Sequence, residues 1–158
     1  MKQRIQNMNL KNKRVILRLD LNVPINNGQI LDDTKIVASL ETIKYLLSQN
    51  CSIVILSHLG KIKEEADKKK YTLEPIALHL KTLLNQEVYF ARENFGEGIY
   101  ERVKLLQGKE ILVLENTRFM DLQGRIESNC DAQLSLFWAS LGEVFINDAF
   151  ASMHRRHA

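Results

Sequence analysis

The chain has 158 residues, of which 45% are hydrophobic and 26% are charged, and its formal net charge is +3. This composition is typical of a folded globular protein and excludes broad disorder, and the length fits one domain, residues 1–158. No apolar run approaches the roughly 20 residues that cross a bilayer, so we expect neither a membrane span nor a targeting segment. Acidic residues are interleaved with the basic ones between Lys61 and Lys70, which is typical of a solvated face rather than a nucleic-acid surface.

The two cysteines, Cys51 and Cys130, are far apart in the sequence and lack the CxxC spacing of a metal or redox motif. Without a secretory signal, this usage favours buried thiols in a reducing compartment over a disulfide or a metal pair. We therefore expect a cytoplasmic protein that contains no metal site.

The first half of the chain alternates short apolar runs with helical patterns. A strand is predicted at 15–17, followed by a tight reversal at Asn27-Gly28. A helix is predicted at 33–49, where apolar residues recur every three or four positions and Asp32 or Asp33 is available as the cap. A second strand is expected at 53–56.

The second half repeats this alternation, with a helix predicted after Thr72, from Leu73 to Leu84, and with Pro75 within its first turn, where proline is tolerated. Further strands are predicted at 87–90, 111–114 and 144–146, and further helices at 98–106 and 131–141. The apolar runs mostly show no alternation, which is typical of strands buried on both faces. The sequence therefore predicts an α/β fold, a three-layer α/β/α Rossmann-like domain with a doubly wound parallel sheet.

Polar clusters follow several of these apolar runs, at 18–24, 57–61, 115–119, 147–150 and 154–157. In an open parallel sheet, ligands bind outside the carboxyl ends of the strands, so the clusters predict one shared site. Cations and imidazoles dominate the set, with a few hydrogen-bonding groups: Arg18, Lys35, His58, Lys61, Arg118, His154, Arg155 and His157, with Asp20, Asn22 and Asn116. This set suits a small ligand with several negative charges, such as a phosphorylated carboxylic acid.

Five strings, RLDLNVP, GQILDDTKI, SHLGK, LENTRF and NDAF followed by HRRH, occur in an order and at a spacing that resemble one family. The chain resembles the amino-terminal, substrate-binding domain of phosphoglycerate kinase over nearly its whole length. The resemblance implies a glycolytic enzyme that moves a phosphoryl group between 1,3-bisphosphoglycerate and ADP, giving 3-phosphoglycerate and ATP.

The resemblance also implies roles for individual residues. Asp20 and Asn22 would hold the hydroxyl and carboxylate part of 3-phosphoglycerate, although their spacing alone also fits a turn cap. The remaining substrate-binding residues would be Leu21, Lys35, His58, Leu59, Gly60, Lys61, Arg118 and Arg155, with Arg18, His154 and His157 in a basic patch. Lys35 would also be catalytic, because the family residue at this position helps to offset charge as the phosphoryl group moves.

Several positions depart from the family pattern, and three of them bear directly on the site. Lys35 and Lys61 stand where the family usually has Arg, which keeps the positive charge and loses the bidentate fork. Ala151 stands where Gly is usual, so a loop that needs an unusual backbone angle would be strained or reshaped there. A helix amino terminus after Gly60 is a further expectation, since it would help to cradle an anion.

The chain contains neither a GxxxxGK[ST] loop nor a GxGxxG string, which are common phosphate-binding motifs. In the family, Mg-ADP or Mg-ATP binds to a second, carboxyl-terminal domain, so we expect a chain that is incomplete at its carboxyl end, binds no cofactor and has no turnover alone. Its expected partners are the small-molecule substrates and that carboxyl-terminal nucleotide-binding domain. We expect a monomer that binds neither nucleic acid nor membranes.

Two alternatives come from other classes of function. The basic cluster at 154–157 is also compatible with a non-catalytic module that binds nucleic acid or another polyanion, although no aromatic residue interleaves it. A degenerate copy that folds poorly is the third reading, since the domain would normally receive packing from later parts of a longer chain.

Overall fold

Strands and helices alternate along the chain in a computed structural model, which describes residues 5–123, 127 and 132–148. The strands are β1 (Arg14–Leu19), β2 (Ile25–Asn26), β3 (Gln29–Ile30), β4 (Ser52–Leu56), β5 (Val88–Ala91), β6 (Ile111–Leu114) and β7 (Val144–Asp148). The helices are α1 (Thr34–Ser48), α2 (Asp67–Lys70), α3 (Glu74–Leu84), α4 (Glu97–Lys104) and α5 (Ala132–Ser140), with 3-10 segments at Ile5–Asn7 and Thr117–Gln123. The predicted strands and helices are confirmed, with ends shifted by a few residues.

Five of the strands form one sheet in the order β5-β6-β4-β1-β7, and all neighbouring pairs are parallel. The central strand is β4, and β1 lies between β4 and β7, with Val15 opposite Ile53 of β4 and Val144 of β7. Because the strands are parallel, their carboxyl ends meet at one edge, where the polar clusters follow them.

The sheet is covered on both faces. Val15 and Leu17 of β1 point into a core that also contains side chains of α1 and α3. Ile16, between them, points into a second core with side chains of α4 and α5. Successive strand residues therefore serve opposite faces, as the pleat requires. The predicted three-layer, doubly wound architecture is confirmed.

Local sequence sets the start of α1 and the turn that precedes it. Asp32 accepts a hydrogen bond from the backbone N–H of Thr34 at 2.8 Å, which satisfies one of the unpaired amides at the helix start. The reversal between β2 and β3 lies at Asn27 and Gly28, both with positive φ (50° and 77°). Two successive positive φ angles are typical of the type I′ hairpin turn, so the predicted reversal is confirmed.

One local expectation is wrong. After Gly60 the chain does not enter a helix, and the next helix, α2, starts only at Asp67 and has four residues.

Cys51 is fully buried and its thiol donates to the Leu10 carbonyl oxygen at 3.1 Å, as a structural thiol should. Cys130 lies outside the described residues. Within the described part of the chain, every helix is too short or too polar to span a bilayer.

Candidate anion-binding site

After the neighbouring strands β4 and β6, the chain turns toward opposite faces of the sheet. After β4 it continues to α3, which packs on the face of Val15 and Leu17, whereas after β6 it continues to α5, on the face of Ile16. Neighbouring parallel strands whose connections diverge in this way leave a crevice at their carboxyl ends. The loop that follows β1, on the other side of β4, reaches the same crevice.

The loop after β1 is anchored by Leu21, whose side chain is fully buried and whose backbone N–H donates to Ser57 Oγ at 3.0 Å. The flanking Asp20 and Asn22 are only partly buried. Asp20 Oδ1 accepts the backbone N–H of Asn22 at 3.1 Å, and Asp20 Oδ2 accepts a hydrogen bond from Lys35 Nζ at 3.0 Å. Asp20 is therefore both a turn cap and a partner of the site lysine.

Gly60 joins three loops. Its N–H donates to Asn22 Oδ1 at 2.9 Å, and its carbonyl oxygen accepts from Arg118 Nη1 at 2.9 Å. Its φ is +59°, and a β-carbon at this position would lie 2.6 Å from the Tyr71 ring. Only glycine fits this turn without strain, and the turn fixes Asn22 and Arg118 relative to each other.

The loop after β6 is fixed by Asn116, which is fully buried. Its Oδ1 accepts the backbone N–H groups of Leu59 at 3.2 Å and Arg118 at 3.0 Å. Its Nδ2 donates to the carbonyl oxygens of Leu59 and Tyr71, each at 2.8 Å. All of its hydrogen-bonding capacity therefore serves the protein, so Asn116 shapes the site rather than contacting a ligand.

Glu115, beside Asn116, has a buried carboxylate that accepts the backbone N–H of Leu73 at 2.9 Å and the hydroxyl of Thr72 at 2.7 Å. Burial raises the pKa of this carboxyl, and the hydrogen bonds from Leu73, Asn116 and Thr72 oppose that rise. Glu115 thus ties the start of α3 to the end of β6. The sequence showed Glu115 as part of a motif, and the structural role depends on partners more than 40 residues away.

The two arginines of the crevice face a carboxylate that the sequence analysis missed. Arg18 Nη2 lies 2.7 Å from Glu127 Oε1, and Arg118 Nε lies 3.8 Å from Glu127 Oε2. The Glu127 side chain is 8% exposed. No periodicity or motif marks Glu127 in the sequence; the only signal is that two partly buried arginines need a counter-charge.

His58 lies among these charges. Desolvation lowers the pKa of its imidazole, the positive charge of Arg118 lowers it further, and Asp20 and Glu127 oppose the shift. His58 is therefore mainly neutral at pH 7 and offers one donor and one acceptor nitrogen to a ligand.

Some predicted site residues lie elsewhere. The side chains of Leu21 and Leu59 are buried in the core, and their N–H groups donate to Ser57 and Asn116. Their carbonyl oxygens accept from the Val23 N–H and Asn116 Nδ2, so neither residue has a spare donor for an anion. Lys61 is exposed. The predicted His154, Arg155 and His157, and the departure at Ala151, lie outside the described residues.

The charges in mutual contact at this edge are Arg18, Lys35 and Arg118 against Asp20 and Glu127. Three cations against two carboxylates leave one net positive charge, with forked arginine donors and the neutral His58 beside it. Such a set binds a small anion through charge-assisted hydrogen bonds. Across residues 5–123, 127 and 132–148, no group of three or more His, Cys, Asp and Glu side chains is arranged to hold a metal ion.

An open groove of about 750 Å³ runs between the β2-β3 hairpin and α3. Its described lining includes Asp32, Asp33 and His79 but neither lysine nor arginine, and His79 Nε2 lies 2.9 Å from Asp33 Oδ2. A lining with carboxylates and no strong cation is unsuited to a multiply charged anion, so the crevice is the better candidate for an anion site.

Known proteins are similar to this chain in sequence. The phosphoglycerate kinase of Macrococcus caseolyticus is 46% identical over 157 residues, which are 99% of this chain and 40% of that protein. The enzyme of Staphylococcus aureus strain bovine RF122 is 48% identical over the same shares. This chain therefore spans about 40% of the length of the curated relatives it matches.

Solved structures of phosphoglycerate kinases resemble this chain in fold. The phosphoglycerate kinase of Pyrococcus horikoshii superimposes with a TM-score of 0.84 at 34% identity, over 98% of this chain and 38% of that one. The enzyme of Coxiella burnetii gives a TM-score of 0.78 at 36% identity, over 96% of this chain and 36% of that one. A family model described as phosphoglycerate kinase matches residues 5–158. On sequence and fold together, the chain belongs to the phosphoglycerate kinase family.

Proposed function

We propose that this chain binds 3-phosphoglycerate and 1,3-bisphosphoglycerate and supplies the substrate-binding half of a phosphoglycerate kinase. Residues 1–158 would form the amino-terminal domain of that enzyme, acting in glycolysis in the cytoplasm as a monomer. A carboxyl-terminal domain would hold the nucleotide with its Mg²⁺, and the described residues offer no metal cluster of their own.

The observation that carries the proposal is the hydrogen-bonded chain from Asn22 through Gly60 to Arg118, with both links at 2.9 Å. It brings an amide, a sharply turned backbone and an arginine fork from three separate loops to one crevice. Arg18 reaches the same place through its contact with Glu127. A site built from such distant segments points to a ligand rather than to surface ion pairs, which contribute little to stability.

Each of these groups would contact a different part of the substrate. Arg118 and Arg18, joined by Arg155 from the family resemblance, would bind phosphate or carboxylate oxygens through their planar forks. Asp20 and Asn22 would contact the hydroxyl and carboxylate part of the substrate. Neutral His58 would contribute a hydrogen bond without adding a charge.

Lys35 would serve the chemical step. Phosphoryl transfer depends on positioning and charge neutralisation rather than on covalent help from the protein. The Lys35 ammonium lies 3.0 Å from Asp20 Oδ2, and its side chain is 42% exposed, so a transferring group in the crevice could contact it. Closing a second domain over the crevice would exclude water and strengthen this interaction. Without that domain we expect binding and no turnover.

A two-dimensional amide NMR titration with 3-phosphoglycerate at low salt tests the binding. We expect saturable shifts at Asn22, Gly60 and Arg118, with weak affinity, and their loss in Arg118→Ala. The matched control is Arg102→Ala, which removes an exposed arginine on α4 and should leave the titration unchanged. Well-dispersed peaks that do not move in the unaltered chain would refute the proposal.

Turnover is tested separately, with the purified chain in a coupled assay for ATP formation from 1,3-bisphosphoglycerate and Mg-ADP. We expect none. Measurable ATP formation by this chain alone would show that the nucleotide site does not depend on a second domain.

A further inference from the structure

Glu127 occupies a place that suits a ligand anion. Its two carboxylate oxygens are shared between Arg18, at 2.7 Å, and Arg118, at 3.8 Å. Both arginines belong to the anion-binding crevice, and Arg118 is also fixed by its bond to the Gly60 carbonyl oxygen. A carboxylate from the protein thus lies between two cations that the proposed function assigns to the substrate.

The chemistry of this contact matches that of the substrate. Arginine forks bind carboxylate and phosphate oxygens in the same way, through planar, charge-assisted hydrogen bonds. A bound glutamate and a bound substrate group would therefore compete for the same donors.

We propose that the Glu127 carboxylate takes the place of a substrate anion between Arg18 and Arg118, and that 3-phosphoglycerate binds by displacing it. This inference rests on the proposed function, because it needs substrate at these arginines. Without ligand, Glu127 neutralises two partly buried cations that would otherwise repel each other. With ligand, the crevice gains one unit of positive charge at the point where the anion arrives.

A supporting role for Glu127 would change the substrate affinity in the opposite direction when Glu127 is removed. If Glu127 only orients Arg18 for the substrate, its removal would loosen the arginine and weaken binding. If Glu127 competes with the substrate, its removal frees the arginine donors and strengthens binding. The 3.8 Å separation at Arg118 favours competition, since Arg118 Nε is buried and makes no hydrogen bond among the described residues. A ligand oxygen would supply the acceptor that this atom lacks.

Isothermal titration calorimetry at low ionic strength and constant pH tests the inference, with 3-phosphoglycerate and inorganic phosphate as separate ligands. We expect Glu127→Gln to bind 3-phosphoglycerate about tenfold more tightly than the unaltered chain, which corresponds to about 1.4 kcal/mol. The matched control Glu101→Gln removes an exposed carboxylate from α4 and should change the affinity by less than about twofold, since isolated surface charges act weakly.

An independent readout does not depend on affinity. Glu127 opposes the lowering of the His58 pKa, so Glu127→Gln should shift the NMR titration of the His58 ring to lower pH, whereas Glu101→Gln should not. An unchanged His58 titration would overturn the inference, because the carboxylate would then not lie at these cations in solution.

The outcomes separate the two proposals. If 3-phosphoglycerate binds the unaltered chain and Glu127→Gln binds it equally or more weakly, the inference is wrong and the proposed function stands. If neither protein binds 3-phosphoglycerate but Glu127→Gln binds inorganic phosphate more tightly, the displaceable carboxylate is upheld and the proposed substrate is wrong. Tighter binding of both ligands supports both proposals.

Discussion

The side-chain oxygen of Asn22 accepts the backbone N–H of Gly60 at 2.9 Å and so joins the loop after β1 to the loop after β4. The two residues are 38 positions apart. The Gly60 carbonyl oxygen accepts in turn from Arg118. Gly60 therefore fixes the loop after β1 relative to the arginine that follows β6. The geometry of the crevice is therefore a property of the backbone as much as of the charged side chains.

Asn22→Ala should weaken 3-phosphoglycerate binding by about tenfold and lower the free energy of unfolding by about 1 kcal/mol, because the Gly60 N–H loses its acceptor. Calorimetry and urea denaturation measure the two effects. Asn26→Ala is the control, since Asn26 is exposed in the β2-β3 hairpin and its side chain should matter to neither quantity. Unchanged affinity in Asn22→Ala would remove Asn22 from the site.

Gly60→Ala should lower the free energy of unfolding by about 2 kcal/mol, because alanine is strained at positive φ and the Tyr71 ring must move. The backbone angle of +59° and the 2.6 Å approach to that ring supply both costs. Gly98→Ala is the matched control: Gly98 lies in α4 with nothing within 4 Å of an added β-carbon. There alanine should stabilise the chain by about 0.5 kcal/mol through helix propensity. Equal effects at both positions in urea denaturation would contradict the role of the Gly60 turn.

Much of this fold was predictable because the signals are local. The apolar run at 53–56 and the three-and-four spacing of Ile36, Leu40 and Ile43 define a strand and a helix within a few residues of themselves. The rule that parallel strands present their carboxyl ends together then placed Asn22, His58 and Arg118 at one edge without any knowledge of their contacts.

The contacts that could not be predicted involve partners that are far apart in the sequence. Asp32 and Asp33 were equivalent as candidate caps for α1. Asp33 takes the N-cap position, but its side chain contacts His79, 46 residues away, and the preceding Asp32 accepts the Thr34 N–H instead. Glu127 was missed for the same reason, since its partner Arg18 is 109 residues distant. Lys61 was expected beside a helix start, but a helix requires a local signal, and the acidic and basic residues after Gly60 have no apolar stripe to bury.

The His58 imidazole makes ligand binding depend on pH. Its pKa is lowered by desolvation and by the charge of Arg118, whereas a bound anion would favour the protonated ring and raise that pKa. Binding should therefore take up a proton, and this contribution strengthens binding as pH falls through the pKa of the ring in the complex toward its lower pKa without ligand. NMR titration of the ring with and without 3-phosphoglycerate measures both pKa values.

His58→Gln is the control for this experiment, because the ligand phosphate itself titrates with a pKa of about 6 and loses charge over the same range. The difference between the two proteins isolates the imidazole. Without ligand, the sign for stability is reversed: the unfolded chain protonates His58 more readily than the folded one, so stability present above about pH 6.5 declines as pH falls toward the lowered folded pKa. His58→Gln should lack that decline in urea denaturation, and an identical decline in both proteins would contradict the assignment.

Lys35→Arg tests whether this position prefers the residue that is usual in the family. The Lys35 ammonium pairs with Asp20 Oδ2 at 3.0 Å. A lysine has no planar fork with which to contact Asp20 and a substrate oxygen together. Arginine does, so Lys35→Arg should bind 3-phosphoglycerate about threefold more tightly and Lys35→Ala about tenfold more weakly, as expected for loss of a positioned cation. Lys44→Arg and Lys44→Ala, at an exposed position of α1, are the matched controls in calorimetry. If Lys35→Arg weakens binding as much as Lys35→Ala, the crevice is shaped around the shorter contact of lysine, and the departure from the family residue is an adaptation of this chain rather than a loss.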